Sequence, residues 1–242
     1  MKEHDHKTIT ITVASIPQRE AGLQTVVESL APQCDKMYVC LNDYAYIPKF
    51  INQNPKLEYL HLVGKDTLSD HGKFYWNEHI HGYHFTVDDD ILYPADYVQH
   101  TVDKIEEYQR RAVVGYHGTN LLLRDRRLLT YTRVSVKRLR FGDTLLADRQ
   151  VYMLGTGVMA YHTQTMRFPY DRLRYGGTDE QIALYCQAFE IPMLCLAHQE
   201  GWLVDNMRVS CLQNIGANKK LDSIAMTRIN EHTEWQLPSI RP

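Results

Sequence analysis

The residues best suited to chemistry are three consecutive aspartates, Asp88, Asp89 and Asp90, which follow the apolar run from Tyr83 to Val87. If that run is a strand whose pleat persists to its end, alternation places Asp88 and Asp90 on one face and turns Asp89 to the other. Two carboxylates on one rim can share a hard divalent cation, Mg²⁺ or Mn²⁺, and a cation held in this way keeps open positions for phosphate oxygens. The chemistry indicated is the binding of a nucleoside diphosphate. Acidic runs are most often solvated loops. Here a strand delivers the acids into a turn, and Pro94 follows at a predicted first helical position, an organisation that a random acidic loop lacks.

Such acids need a sheet to hold them, and the preceding sequence supplies one. From Lys7 the chain reads as an alternating β-branched strand ending at Ala14 and Ser15, followed by a loop with Pro17 and Arg19. Leu23, Val26, Val27 and Leu30 have helical spacing, and Pro32 stops that helix. Further strands are predicted at Met37 to Leu41, which delivers Asn42 and Asp43 into a loop, and at Leu57 to Val63. The unit is β-α-β, which favours a parallel sheet. Ligands of open α/β sheets bind beyond the carboxyl ends of the strands, where Ser15, Asn42 and the aspartates collect.

Beyond the triplet, Ala95 to Tyr108 suits a helix and Ala112 to Tyr116 a strand. Gly155 and Gly157 around Thr156 permit a close backbone approach to a ligand, although such a tripeptide is more often an ordinary turn. Gly176 and Gly177 lead into Thr178, a predicted cap for a helix with Asp179 and Glu180 in its first turn and Ile182, Tyr185 and Phe189 on its buried side. Pro192 to Ala197 reads as a buried strand leading to His198. The tail from Asn214, with Leu221, Ile224 and Met226 weakly periodic, suits a short helix or a lid.

Composition bounds the rest. With 242 residues and 44% hydrophobic content the chain can bury one sizeable core, and 23% charged residues with a net charge of -2 exclude a nucleic-acid-binding polycation. Between Arg110 and Arg149, ten basic residues stand against three acids, a candidate surface for something anionic. Five cysteines without a C-x-x-C pair read as reduced core thiols of a cytosolic protein. With no signal-like or membrane-spanning stretch, the expectation is a soluble protein, at most peripheral to a membrane face. Zinc-protease, nucleophile-elbow, P-loop and dinucleotide fingerprints are all missing from the sequence.

The acidic motif after an amino-terminal β-α-β unit resembles the D-x-D signature of GT-A glycosyltransferases. The ordered set VDDDILYPADYV, His117-Gly118, Leu154 to Val158 (LGTGV) and Gly201 to Leu203 (GWL) resembles, over nearly the whole chain, the small bacterial α-N-acetylglucosaminyltransferases of heparosan-type capsule synthesis. The resemblance implies an α/β fold: a single GT-A, Rossmann-like domain over residues 1–242, with a mostly parallel central sheet flanked by helices. Residues 1–110 would form the nucleotide-binding half and 111–242 the acceptor-binding half. It also implies a UDP-sugar donor, Mn²⁺ or Mg²⁺, and transfer with retention to an oligosaccharide or polysaccharide.

Residue by residue, the resemblance puts Ala14, Ser15 and Arg19 at the nucleotide, Asn42 at the uridine, and Lys73, within Asp70-His71-Gly72-Lys73-Phe74, near the nucleotide. Asp88 would meet ribose or metal, Asp89 the sugar, and Asp90 the metal. Gly155, Thr156 and Gly157 would line the donor-sugar pocket, Asp179 would contact the sugar, and His198 is the candidate for a late metal-ligating histidine. An inverting reaction would instead need Asp179 or Glu180 as general base. The expected function is transfer of N-acetylglucosamine from UDP-GlcNAc to a bacterial capsular or surface polysaccharide, with an anionic acceptor drawn to the Arg-rich segment and a partner glycosyltransferase to alternate the sugars. A galactosyl or glucosyl transferase acting on lipopolysaccharide and a non-catalytic nucleotide-sugar-binding subunit are the alternatives. A sugar nucleotidyltransferase would need a Gly-rich, Lys-containing loop near the amino terminus, which SIPQRE does not supply. Trp76 and Trp202 could stack on sugar rings, though packing explains aromatics as often.

Overall fold

The computed structural model describes residues 7–121, 123–124, 127–128, 137–173, 177–206, 227–231 and 235–240. The Arg-rich segment is therefore described only in part, and Gly176, Cys211 and the predicted tail element around Leu221, Ile224 and Met226 lie outside the described residues.

The first third builds a parallel half-sheet. β1 (Ile9–Ser15) is followed by α1 (Glu20–Leu30), whose Leu23, Val26, Val27 and Leu30 are buried at the spacing of one helical face. β2 (Lys36–Asn42) and β3 (Leu57–Leu62), separated by the short α2 (Lys49–Gln53), extend the sheet outward in parallel. β4 (Tyr83–Val87), buried along its whole length, pairs in parallel with the other side of β1, Val87 opposite Val13. The carboxyl ends of β1, β2 and β4 therefore share one edge.

The rest is mixed. β5 (Ile91–Leu92), α3 (Tyr97–Glu107), β6 (Val113–Gly115), β7 (Gly118–Asn120) and the ribbon of β8 (Leu123–Arg124) and β9 (Arg127–Leu128) come next. They are followed by β10 (Lys137–Leu139), β11 (Arg149–Val151), β12 (Met153–Leu154), β13 (Val158–His162), α4 (Thr178–Ala188), β14 (Met193–Cys195) and β15 (Val204–Asp205). The central eight-stranded sheet has the order β11-β14-β6-β13-β4-β1-β2-β3. It is mostly parallel; β13, antiparallel to both β4 and β6, and β11, antiparallel to β14, are the exceptions. Alternation along the strands divides the core between the two faces. Val114, Ala160 and Leu194 join the cluster under α1 and α3, while their neighbours Val113, Met159, Tyr161, Met193 and Cys195 join the cluster under α4. The fold is thus α/β, a sheet between helical layers. Among the described residues, no helix is long and apolar enough to cross a membrane.

Three local expectations need correction. Pro94 is not the first helical residue: it lies in the turn before α3, and its carbonyl accepts from Tyr97 N. Instead, the side chain of Gln33 reaches across from the end of α1, accepting from Val98 N at 3.1 Å and donating to the Pro94 carbonyl at 2.9 Å. Thr178 does not cap α4; Gly177, at φ 64, holds the cap position, and the Thr178 hydroxyl is drawn away to Asp70. Phe189 is 57% exposed, so the buried face of α4 is formed by Ile182, Ala183 and Cys186. The four described cysteines, Cys34, Cys40, Cys186 and Cys195, are free and buried, as expected of core thiols.

Candidate functional site

The strand β4 ends at Val87, so the pleat does not carry through the triplet: Asp89 and Asp90 form a turn. The turn is nevertheless fixed. The Asp88 amide donates to the Tyr93 hydroxyl (2.9 Å) and to the Gly157 carbonyl (3.2 Å), and the Tyr93 hydroxyl donates to the same carbonyl (2.5 Å). All three aspartates line a cavity of about 580 Å³ beyond the carboxyl ends of β1, β2 and β4.

Two cations answer the three acids. Lys73 Nζ pairs with Asp88 Oδ1, and Arg19 Nη1 lies 2.9 Å from Asp89 Oδ1 and 3.2 Å from Asp90 Oδ2. Lys73 is only 2% exposed. It sits on the 3-10 segment Ser69–Phe74, which presses so closely on β2 that a Cβ on Gly72 would lie 2.3 Å from Cys40 Sγ. Asn42 anchors the start of that segment, accepting from Leu68 N (2.9 Å) and donating to the Ser69 carbonyl (3.1 Å). Ser15 shares a hydrogen bond with the Tyr44 hydroxyl (2.9 Å). Ala14, Ser15, Arg19, Asn42 and Lys73 all line the cavity.

The opposite wall comes from the second half of the chain. Gly155, Thr156 and Gly157 form the loop before β13, and a Cβ on Gly157 would lie 2.0 Å from Asp88 Oδ2, so glycine there leaves the carboxylate its space. Asp179 and Glu180, in the first turn of α4, line the same cavity. Asp179 Oδ1 accepts from both Thr156 N (2.9 Å) and Thr156 Oγ1 (2.8 Å). Thr178 Oγ1 donates to Asp70 Oδ2 (2.6 Å), tying α4 to the segment that carries Lys73.

Burial shapes the protonation of these groups. It pushes the Asp179 carboxyl up to about 7, helped by the charge of Glu180 and opposed by the Thr156 donors and Lys73. Asp89 is pushed up to about 6, again by burial, with Ser15 and Arg19 drawing it back. Asp90 is raised by burial and by the charge of Asp88. His117, also on the cavity wall, is lowered by burial and by Arg138 and Arg140.

For a divalent cation the donor chemistry fits: Asp88 and Asp90 offer hard carboxylate oxygens on the cavity, and Gly157 keeps the cradle beside Asp88 open. Among the described residues no group of three or more His, Cys, Asp or Glu side chains is assembled that could hold a metal ion alone. Asp88 and Asp90 would be the residues to hold such a cation. His198 does not join them. Its Nδ1 faces the Leu196 carbonyl (2.7 Å), its Nε2 faces the Arg140 carbonyl (3.1 Å), and it is absent from the cavity lining. The metal-ligand expectation for His198 is therefore corrected: both ring nitrogens are turned to backbone oxygens.

The tryptophans are structural too. Trp76 stacks on Tyr38 with centroids 4.8 Å apart, and Trp202 packs on Tyr97, His100 and Tyr116 while donating to Asp96 Oδ1 (3.1 Å). Conversely, Tyr93, Asp70, Thr178, Phe141 and Asp205 belong to the site or its frame, and sequence reasoning assigned them no part in it. Tyr93 and Asp70 stand inside the quoted motifs, which was the available signal; Phe141 and Asp205 carried none.

No protein-family model matches the sequence, and no curated protein matches it. Among solved structures, a candidate nucleotide-diphospho-sugar transferase from Desulfovibrio desulfuricans G20 aligns over 92% of this chain and 98% of its own at 10% identity, with a TM-score of 0.43.

Proposed function

We propose that the protein is a glycosyltransferase that uses a UDP-sugar and a divalent cation, Mn²⁺ or Mg²⁺. The observation that supports this reading is the meeting of two walls in one cavity: Ser15, Arg19, Asn42, Lys73 and the Asp88–Asp90 turn at the strand ends, with Gly155, Thr156, Gly157 and Asp179 opposite. A nucleoside diphosphate suits the first wall and a sugar the second. The finer identity rests on the sequence resemblance: N-acetylglucosamine is moved from UDP-GlcNAc to the non-reducing end of a bacterial capsular or surface polysaccharide, with retention.

In this reading Asp88 and Asp90 would hold the cation, which when bound would supply Lewis-acid stabilisation of negative charge on the diphosphate. Arg19 and Lys73 add fixed positive charge on the same side, so that negative charge developing on the leaving group meets preorganised partners. Asp179, fixed by two donors from Thr156, presents its carboxyl on the sugar side. There its negative charge stabilises the positive charge that develops at the anomeric carbon. Lys73 acts from burial, where its charge is less screened than at a surface.

The test is a UDP-release screen over nucleotide sugars with oligosaccharide acceptors, alongside UDP titrations with and without Mn²⁺. UDP binding should tighten with Mn²⁺, UDP-GlcNAc should be the preferred donor, and Asp90→Ala should abolish the tightening. UDP binding that ignores Mn²⁺ in both proteins defeats the proposal.

A further inference from the structure

Arg19 stands where charge accounting makes it more than a phosphate contact. It is a half-buried guanidinium whose Nη1 bridges Asp89 Oδ1 and Asp90 Oδ2, while Lys73 Nζ engages Asp88 Oδ1. Three carboxylates thus already face two fixed cations, and two of those carboxylates, Asp88 paired with Lys73 and Asp90 paired with Arg19, are the proposed metal ligands. Arg19 Nε is buried and without a hydrogen-bond partner, so the fork has a spare donor. A buried unpaired donor is costly unless something binds it, and a guanidinium fork matches the geometry of phosphate oxygens.

A dication entering alone would meet the repulsion of Arg19 and Lys73 and would have to loosen their ion pairs. A diphosphate entering with it changes the balance, because its oxygens complete the cation's coordination and accept the displaced guanidinium. Resting on the proposed function, we infer that Arg19 is a built-in competitor for the metal position: it holds Asp89 by a hydrogen bond and Asp90 by an ion pair until cation and nucleoside diphosphate arrive together, then shifts its ion pair from Asp90 to the diphosphate. Cation and nucleotide are then coupled ligands, each tightening the other by the same factor.

The experiment titrates the full chain with Mn²⁺ and follows free Mn²⁺ by electron paramagnetic resonance, with and without UDP. Wild-type protein should bind Mn²⁺ weakly alone and roughly tenfold or more tightly with UDP present. Arg19→Met should bind Mn²⁺ alone roughly tenfold tighter than wild type, with a smaller gain on adding UDP. Equal Mn²⁺ affinity of Arg19→Met and wild type in the absence of UDP overturns the inference while leaving the glycosyltransferase reading intact. Failure of the wild type to bind UDP at all, with or without Mn²⁺, overturns both. A second measurement needs no variant. In ¹⁵N-arginine-labelled wild type, the Nε–H resonance assigned to Arg19 should move when Mg²⁺ and UDP are added together and stay in place with Mg²⁺ alone. A resonance that does not move with both ligands rejects the transfer.

Discussion

The two walls of the cavity treat their carboxylates differently. On the strand-end wall, Asp89 is buried against the guanidinium of Arg19 and is pushed up only to about 6. On the loop-and-helix wall, Asp179 has neutral donors from Thr156 and a like charge beside it in Glu180, and it reaches about 7. Desolvation raises both; Ser15 and Arg19 draw Asp89 back, while Asp179 is pushed further by Glu180 and drawn back by the Thr156 donors and the charge of Lys73. The first wall is built to keep negative charge in place for cations. The second holds a carboxyl that exchanges its proton near neutrality, as a group that must answer changing charge on a substrate would.

The largest expected effect tests whether the walls must fit each other. Gly157→Ala puts a methyl 2.0 Å from the present position of Asp88 Oδ2, so the carboxylate must swing away from Lys73. The Asp88 side chain is 39% exposed and can rotate, but doing so leaves the buried Lys73 without this partner, so the melting temperature should fall as well. A misplacement of this size should lower transfer activity on the order of 10²-fold. Parallel assays of UDP release and thermal melting check this; wild-type activity in the variant would mean that the walls are independent.

The next effect sharpens the difference between the carboxyls. An acid whose pKa is raised by folding holds a proton that the unfolded chain gives up, so its contribution favours the fold at low pH and is lost as pH rises to the folded value. For Asp179 the loss runs from about pH 4, where the unfolded carboxyl titrates, to about 7. Asp89 adds a similar loss ending near pH 6. Asp179→Asn keeps the acceptor for Thr156 but carries no charge, so the fall in stability between pH 6 and 7 should disappear and the variant should gain on wild type as pH rises. Urea denaturation at pH 5, 6, 7 and 8 measures this, and parallel pH profiles for the two proteins would remove the contrast between the walls.

The smallest effect concerns an aromatic outside both walls. Trp202→Phe removes the hydrogen bond to Asp96 and part of an aromatic cluster, which should cost about 1 kcal/mol of stability with UDP affinity within about twofold of wild type, because its contacts lie in the packing around α3. A selective loss of sugar-dependent activity without destabilisation would give Trp202 a role in recognition.

Much of the strand-end wall was legible in the sequence because its signals are local. Alternating or apolar runs mark β1, β2 and β4, and the polar residues that end them, Ser15, Asn42 and Asp88, must collect on one edge once the strands are parallel. The loop-and-helix wall was legible in its parts, as a glycine turn and an acid in the first turn of a helix. Their meeting with Asp88 depends on β13 lying antiparallel beside β4, a pairing between residues some seventy positions apart. His198 shows the limit in the other direction: its type suits a metal, but the carbonyls of Leu196 and Arg140 claim its ring.

The sequence alone determined which residue types could act and which strand ends would present them, because side-chain period and chain direction follow from local geometry. Only the tertiary structure decided their partners. Arg19 reaches Asp89 and Asp90, Lys73 reaches Asp88 from a buried turn, Gln33 rather than Pro94 organises the start of α3, and Thr156 fixes Asp179. These are contacts between segments distant in the chain. They are chosen by which surfaces the packed sheet and helices bring together, and no local pattern of residues encodes that choice.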